Sequence, residues 1–375
     1  MRVLVVNAGS SSLKLRVLDG EKLVVAVDLP ADRHGFATAD VRRALDGVEV
    51  DAVGHRVVHG GTRFLEPVRL DEDVVAALHD LTSLAPLHQP KSLAGIDAVT
   101  CLLPDVPAVA CFDTAFHATL PAAATTYALP QEWRERWPVR RFGFHGLSHA
   151  YAARRVAELI GSSGDNGRLV TCHLGAGGSL AAVRDGRSVE TTMGFTPLDG
   201  LVMGTRSGTV DPGLVLWLQE HAGLTAAQVA DGLEHRSGLL GLAGSDDMDV
   251  VLDRSRRGEA RARLAVEVYV HRLAAGIAAM TAALGGLDVL LFTGGIGEHA
   301  PKIRSRAADR LRYLGVAVDA ARNAAAGDGD DISTSEARVR TFVVTAREDL
   351  EIARGVHSVL GDQSASAQPS VVAGA

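Results

Sequence analysis

The sequence predicts an α/β protein made of two related domains. Three observations carry that expectation. The chain has 375 residues, more than one ordinary hydrophobic core sustains. Strand-like apolar runs alternate along it with segments of helical period. One hairpin pattern also occurs twice. The first copy starts at Val3, passes through Asn7-Ala-Gly-Ser10-Ser11-Ser12-Leu-Lys14 and ends at Asp19-Gly20. The second starts at Leu169, passes through His173-Leu-Gly175-Ala-Gly177-Gly-Ser179 and ends at Asp185-Gly186. Aligned without a gap, Gly9 falls on Gly175, Val17 on Val183 and Asp19 on Asp185. Each copy reads as strand, small-residue loop, strand and Asp-Gly turn into a third strand.

The elements follow in order. Residues 1–30 read as three strands joined by the Ser loop and the Asp19-Gly20 turn. Residues 51–59 form a strand ending in His-Gly-Gly. Residues 71–84 have helical period, and Leu87-His88-Gln89-Pro90 leads into a helix over about 91–101. Residues 106–112 are a buried strand ending at Asp113; 141–146 are a loop and 148–160 an amphipathic helix. Residues 161–167 are a polar connector before the second hairpin. An N-terminal domain over 1–148 and a C-terminal domain over 149–349 are therefore expected. Residues 264–284 form a long Ala-rich helix, and 288–292 a strand, followed by a glycine turn and a helix from near Pro301. Residues 324–335 read as a polar loop, 339–344 as a strand, and 350–360 as a last helix that packs back on the first domain. The small, polar stretch 361–375 is expected to be a disordered tail.

Bulk composition excludes several classes. The net charge of −7 favours neither nucleic acid nor an anionic membrane as a partner. The apolar run before Asn7 is too short for a secretory signal. The stretch Leu273 to Leu287 is Ala/Gly-rich, stops at Asp288 and reads as a buried helix, not a span. Cys101, Cys111 and Cys172 lack zinc-like spacing, and their odd number argues against a disulfide framework. A soluble, cytoplasmic protein is expected.

The loop from Asn7 to Lys14 resembles a Walker loop in composition only, because Leu13, Leu15 and Val17 alternate with Lys14 and Arg16 and so enter a strand. A tight hairpin of small residues instead offers backbone N–H groups and serine hydroxyls to phosphate oxygens. One such loop is an ordinary turn. Two suggest paired domains gripping a phosphate chain, the plan of a nucleotide-dependent phosphotransferase. Thr293-Gly294-Gly295-Ile296-Gly297-Glu298 lies between a strand and a helix. It suits close approach to an adenosine. It also fits a dinucleotide fingerprint, with Asp319 downstream, which would make the chain a dehydrogenase; that reading leaves the duplicated hairpin unexplained.

Arg56, Asp113, His145 and Arg206 fall where strands end or loops turn, the place ligands occupy in α/β sheets. Taken singly, each is also compatible with a salt bridge, a helix cap or a satisfied core histidine. Glycines near Arg56, His145 and Arg206 let a ligand approach the backbone. Two arginines suit a carboxylate or a transferring phosphoryl group, and one well-placed Arg is worth roughly 10³–10⁵ in phosphoryl transfer.

Together these segments resemble the acetokinase family. The resemblance rests on Asn7-x-Gly-Ser-Ser-Ser-x-Lys14, Gly54-His-Arg-Val-Val-His-Gly-Gly61, Pro86-Leu-His88, Phe112-Asp-Thr-Ala-Phe-His117, Gly143-Phe-His-Gly-x-Ser-His149, Cys172-His-Leu-Gly175, Met203-Gly-Thr-Arg-Ser-Gly208 and Thr293-Gly-Gly-Ile-Gly-Glu298, in order. It implies the actin, Hsp70 and sugar-kinase architecture, with two duplicated ribonuclease H-like domains and an interdomain cleft. It further implies direct in-line transfer from ATP to acetate, giving ADP and acetyl phosphate, with Mg²⁺ or possible Mn²⁺, in a homodimer.

By motif match, Arg56 and Arg206 would hold the carboxylate and the phosphoryl group, and His145 would donate to the transition state. Asn7, Ser10, Ser12, Lys14, His173, Gly175 and Gly177 would serve the phosphates, and Gly294, Gly295, Ile296 and Gly297 the adenosine. Val58, Leu87, Phe144 and Pro197 match a pocket for the acetate methyl. Asp113 and Glu348, with Asn7, match the magnesium-organising groups. A carboxylate acceptor is already ionised at neutral pH, so no general base is needed and Asp113 is better placed on the metal.

Several positions depart from the family pattern. Ala176 stands where Asn is usual, Gln89 and Ser92 replace Asn, Arg347-Glu348-Asp349 replaces Asn-Glu-Glu, and His299 follows Glu298. Two other readings stay open. A propionate or other short-chain acyl kinase would use the same residues. An actin- or Hsp70-like nucleotide-binding module would have no purpose for Arg56, Val58, Phe144, Pro197 and Arg206.

Overall fold

The computed structural model describes residues 1–9, 12–30, 38–86, 88–161 and 167–366. Ser10, Ser11, Leu87, most of the expected 161–167 connector and residues 367–375 of the expected tail lie outside them. The chain divides into two compact units, residues 1–116 with the segment from Arg347 onward, and residues 117–346. The boundary expected near 148 therefore falls earlier. Residues 117–148 belong to the second unit because His117 bonds Ser188 Oγ at 2.8 Å and Phe142 N–H donates to Gly194 at 3.0 Å.

The first unit contains β1 (Arg2–Ala8), β2 (Ser12–Asp19), β3 (Lys22–Pro30), α1 (Thr38–Ala44), β4 (Ala52–Val57), β5 (Val68–Arg69), α2 (Glu72–Asp80), α3 (Gln89–Leu102) and β6 (Ala108–Phe112). Its sheet order is β3-β2-β1-β4-β6-β5, with β1, β4 and β6 mutually parallel. β1 reads as an unbroken apolar run because helices cover both faces of a parallel strand. In β2, Leu13, Leu15 and Val17 face inward and Lys14 outward, as period-2 alternation requires. Full burial of each of those side chains is worth roughly 1.5–3 kcal/mol. The Asp71 carboxylate caps α2 by accepting from Val74 N–H at 2.8 Å.

The second unit contains α4 (Ala122–Thr125), α5 (Gln131–Arg136), α6 (Gly146–Ile160), β7 (Arg168–Leu174), β8 (Gly178–Arg184), β9 (Arg187–Thr191), α7 (Pro212–Glu220), α8 (Ala226–His235), α9 (Gly238–Ala243), α10 (Met248–Arg256), α11 (Ala260–Leu284), β10 (Val289–Thr293), α12 (Gly294–His299), α13 (Pro301–Arg310), α14 (Ala320–Ala325), β11 (Asp330–Asp331) and β12 (Arg340–Val343). Its sheet order, β11-β12-β10-β7-β8-β9, repeats the hairpin-plus-parallel plan of the first. The final helix α15 (Glu348–Ser366) returns to the first unit. It lies so close to β4 that a Cβ on Gly54 would meet Ile352 Cγ2 at 2.6 Å.

The duplication is real, but its register is not the ungapped one. β1–β2 closes on the pair Ala8↔Leu13, whereas β7–β8 closes on Leu174↔Gly178. The second loop is one residue shorter, with Gly175 N–H bonding Gly177 O, where Gly9 N–H reaches Ser12 O. Both outer pairs carry a bulge, at Val17/Leu18 and at Ala182/Val183. Past the loop, Val17 therefore corresponds to Ala182. The shared Asp-Gly dipeptide occupies different places, since Asp19 ends β2 while Asp185 and Gly186 form the turn after β8.

Other differences have local causes. The expected glycine turn after β10 is α12 itself, because Gly294 at φ 78° passes straight from strand to helix. The expected 324–335 loop contains the end of α14 and the short β11, and α15 runs on past residue 361 to Ser366. The sequence pattern marks no element over the region of α7 to α10. α11 is long and apolar enough to cross a membrane by length and composition alone, yet half of its apolar window is buried. Its buried face, including Ala265, Tyr269, Leu273 and Ile277, joins the core that also holds Val170, Cys172 and Leu180. The cysteines are free, with Cys111 and Cys172 buried.

Candidate active site

In the first unit, three strand ends gather one polar cluster. Arg56 lies on β4, Asp113 follows β6, Asn7 is on β1, and Glu348 opens α15. Arg56 Nε and Nη2 donate to both Asp113 oxygens at 3.1 and 2.6 Å. Its Nη1 donates to Asn7 Oδ1 at 3.1 Å, and Asn7 Nδ2 donates to Glu348 Oε2 at 2.9 Å. Glu348 is also 3.9 Å from Arg56 Nε. Burial opposes the Arg56 charge, but the fields of Asp113 and Glu348 reverse that and hold the guanidinium more firmly protonated. Burial pushes the Asp113 carboxyl above its ordinary range, while Arg56 pulls it back.

The groups gathered around the guanidinium offer hard oxygen atoms, from Asp113, Glu348 and Asn7. Among the described residues no trio of His, Cys, Asp or Glu is gathered as for an all-protein metal cage. That donor set fits Mg²⁺ or Mn²⁺, since Mg²⁺ usually takes one or two carboxylates and completes its shell with water and phosphate. Lys14 is exposed and pairs across the hairpin with Asn7, and Ser12 begins β2. Val58 is buried just after β4.

In the second unit, His145 caps α6 at φ 57°, a left-handed conformation uncommon for a side-chain-bearing residue. Its Nδ1 is 2.9 Å from Ser179 Oγ on β8, and its ring lies 4.4 Å from that of His173, tilted by 36°. His173 Nδ1 lies 2.7 Å from Ser148 Oγ. Arg206 donates through Nη1 to Pro197 O at 2.6 Å. Its Nη2 and His145 Nε2 converge over Gly177, where a Cβ would meet them at 2.5 and 3.3 Å. Glycine at this position is what lets both groups sit on the loop. Phe144 is buried, and its carbonyl accepts from His117 at 3.1 Å. Because a carbonyl only accepts, His117 carries its proton on Nε2. Burial lowers the His117 pKa to about 4.

The glycine segment at 294–297 lies beside the second loop: a Cβ on Gly175 would be 4.0 Å from Gly295 N. Gly294, at φ 78°, is demanded by packing on β7, because an added Cβ would approach Leu174 O at 2.8 Å, whereas at Gly297 a Cβ would make only ordinary contact, 3.7 Å from Cys172 O. Gly295 alone faces open space, and Ile296 packs against the core. Sequence reasoning missed Glu298, whose Oε1 accepts from Gly294 and Ala346 N–H, both at 2.9 Å. It also missed Arg304, buried and bonded to the carbonyls of Gly297, Glu298 and Asn323. An arginine in the first turn of a helix just after a glycine run was the available signal.

The profile of the acetokinase family matches residues 37–354. The acetate kinase of Dictyoglomus thermophilum is 42% identical, over 96% of this chain and 100% of its own. The chain belongs to the acetokinase family. Two solved members agree with the fold. Acetate kinase of Porphyromonas gingivalis superposes with a TM-score of 0.87 at 36% identity, covering 96% of this chain and 99% of that one. A propionate kinase from Francisella tularensis gives 0.89 at 33%, with the same coverage. As a member of the family the protein is an ATP-binding kinase whose phosphoryl acceptor is a carboxyl group. The dehydrogenase and the actin- or Hsp70-like module are set aside.

Proposed function

We propose that the chain catalyses reversible, direct transfer of the ATP γ-phosphoryl group to acetate, giving acetyl phosphate and ADP. The observation that carries this reading is the meeting of Arg206 Nη2 and His145 Nε2 over the Gly177 loop. A guanidinium and an imidazole there address the charge that spreads over a transferring phosphoryl group. Arg206 is pinned by its bond to Pro197 O, so its second nitrogen is pre-oriented. Arg56 binds the acceptor carboxylate or the phosphoryl oxygens, its own charge secured by Asp113. The acetate carboxylate attacks as the anion it already is, and no residue has to remove a proton.

Asn7, Ser12, Lys14, His173, Gly175 and Gly177 serve the phosphates, together with Ser10, and Gly295 and Ile296 the adenosine, backed by Gly294 and Gly297. By motif match, Val58 and Leu87 of the first unit and Phe144 and Pro197 of the second are each assigned to the acceptor methyl. Asp113 and Glu348, with Asn7, are the groups that would hold Mg²⁺. When bound, that ion neutralises phosphate charge and orients the γ-phosphoryl group. A propionate acceptor is the second reading, favoured by the likeness to the Francisella enzyme.

A homodimer in the cytoplasm completes the proposal. α7 buries none of its residues and exposes Leu214, Leu216 and Trp217, an apolar face suited to a second copy. The test is hydroxylamine trapping of acyl phosphate from Mg·ATP with acetate, propionate and butyrate in parallel. Preference for acetate supports the reading. Preference for propionate keeps the mechanism and changes the acceptor. No acyl phosphate from any acid overturns it.

A further inference from the structure

Behind His145 runs a continuous buried chain of hydrogen bonds, all inside the second unit. His145 Nδ1 is 2.9 Å from Ser179 Oγ, which is 2.8 Å from His149 Nε2. His149 Nδ1 is 2.7 Å from Thr171 Oγ1. The Thr171 hydroxyl donates to Ala181 O at 3.4 Å. Ser179, His149 and Thr171 are all fully buried. Their placement follows from the fold: His145 and His149 share one face of α6, while Thr171 and Ser179 come from the paired strands β7 and β8.

The chain has a direction because each hydroxyl owns one proton. Ala181 O can only accept, so the Thr171 proton goes there and Thr171 receives from His149 Nδ1–H. His149 Nε2 is then a lone pair and accepts the Ser179 proton. Ser179 Oγ in turn accepts from His145 Nδ1–H. We infer that Ser179, His149 and Thr171 are positioning residues that fix His145 as its Nδ1–H tautomer and direct Nε2 toward the Arg206 side of the Gly177 loop. The tautomer needs His149 to stay neutral. Burial, with help from the nearby His117 and His173, lowers its pKa well below the ordinary histidine value.

The functional consequence rests on the proposed role of His145. A ring whose Nδ1–H is committed to Ser179 donates from Nε2 only as the imidazolium, and so makes a charge-assisted bond to the phosphoryl group. The groups that face it and bear on that charge are Arg206, His149 and His173. Ser179 accepts from Nδ1–H in both charge states, so the ring keeps one orientation while the mobile proton sits on Nε2.

The test reads the tautomer without substrate. Protein carrying ¹⁵N-histidine is examined by two-bond ¹H–¹⁵N correlation at a pH where His145 is neutral, with its signals assigned by their loss in His145→Gln. The expected pattern is Nδ1–H. In Thr171→Val, nearly isosteric, the acceptor for His149 Nδ1–H is gone and the whole chain reverses, so His145 switches to Nε2–H. An Nε2–H pattern in the wild type, or no switch in Thr171→Val, overturns the inference. Ser179→Ala should cost about ten- to a hundredfold in kcat with little change in KM. These outcomes are separable from the kinase reading, since a correct tautomer with an active His145→Gln would sink the role of His145 and leave the chain intact.

Discussion

Gly177→Ala isolates the Arg206–His145 pair from everything else in the fold. Gly177 does not have a left-handed φ, so the backbone accepts alanine without strain. The added Cβ would lie 2.5 Å from Arg206 Nη2 and 3.3 Å from His145 Nε2. Ordinary contact between such atoms is about 3.5 Å, so the guanidinium tip has to withdraw by roughly 1 Å. Its other nitrogen is tied to Pro197 O, so the group pivots about that bond. Moving the end of a flexible side chain costs folding little, about 1 kcal/mol or less. Catalysis is less tolerant, because a displacement of about 1 Å can cost about 10²-fold. Steady-state hydroxamate assays should therefore show kcat down about a hundredfold, with KM for ATP within a few-fold and the melting temperature nearly unchanged. Gly9→Ala is the matched control, since among the described residues its Cβ would meet only Ser12 O, at 3.2 Å. A Gly177→Ala kcat within about threefold of wild type would refute the placement of Arg206 and His145 at the reacting group.

Stability should fall on acidification. Burial lowers His55 to about 3 and His117 to about 4, against 6.5 in the unfolded chain. Below pH about 6.5 the unfolded chain takes up protons the folded chain refuses, so the loss as pH drops to the folded value is on the order of 5 kcal/mol for His55 and 3 kcal/mol for His117; urea unfolding that is flat between pH 7 and 5 would contradict neutral burial. Arg304→Met strands the carbonyls of Gly297, Glu298 and Asn323. It should cost about 3 kcal/mol or more and raise KM for ATP while leaving kcat for saturated enzyme largely intact, as chemical denaturation and initial rates would show. Val58→Ala should shift preference toward propionate by about tenfold, the worth of one methylene in an apolar pocket, and unchanged kcat/KM ratios would remove Val58 from the acceptor pocket.

Much of this was legible in the chain because it is locally encoded. β1, β2 and their second copies are written in apolar runs and period-2 alternation, and the buried α11 in its Ala-rich composition. Arg56, Asp113 and Glu348 were singled out by position and motif, and the structure places them together with Asn7. What stayed hidden was set by tertiary context. The hairpin register could not be read because the two loops differ by one residue while the dipeptides still align. The α12 helix was hidden by glycines, which normally break helices; here Gly294 is required by its close approach to β7. α7 escaped notice because none of its residues is buried, so its apolar positions mark no core-facing stripe. Ser179 and Thr171 carried no motif; only strand pairing opposite α6 gives a buried serine and threonine a purpose.

The first unit is written in two pieces of sequence with the whole second unit between them, and this sets an order of assembly during synthesis. Residues 117–346 are contiguous, so the second unit can close its core as it leaves the ribosome. β1, β4 and β6 are made earlier but stay uncovered on one face until Ile352 and Val356 arrive to lie over Gly54. The nascent chain therefore exposes an apolar parallel sheet throughout most of its translation, and closing it is a loop-closure step of very long range. The strands made before the second unit are completed only after it.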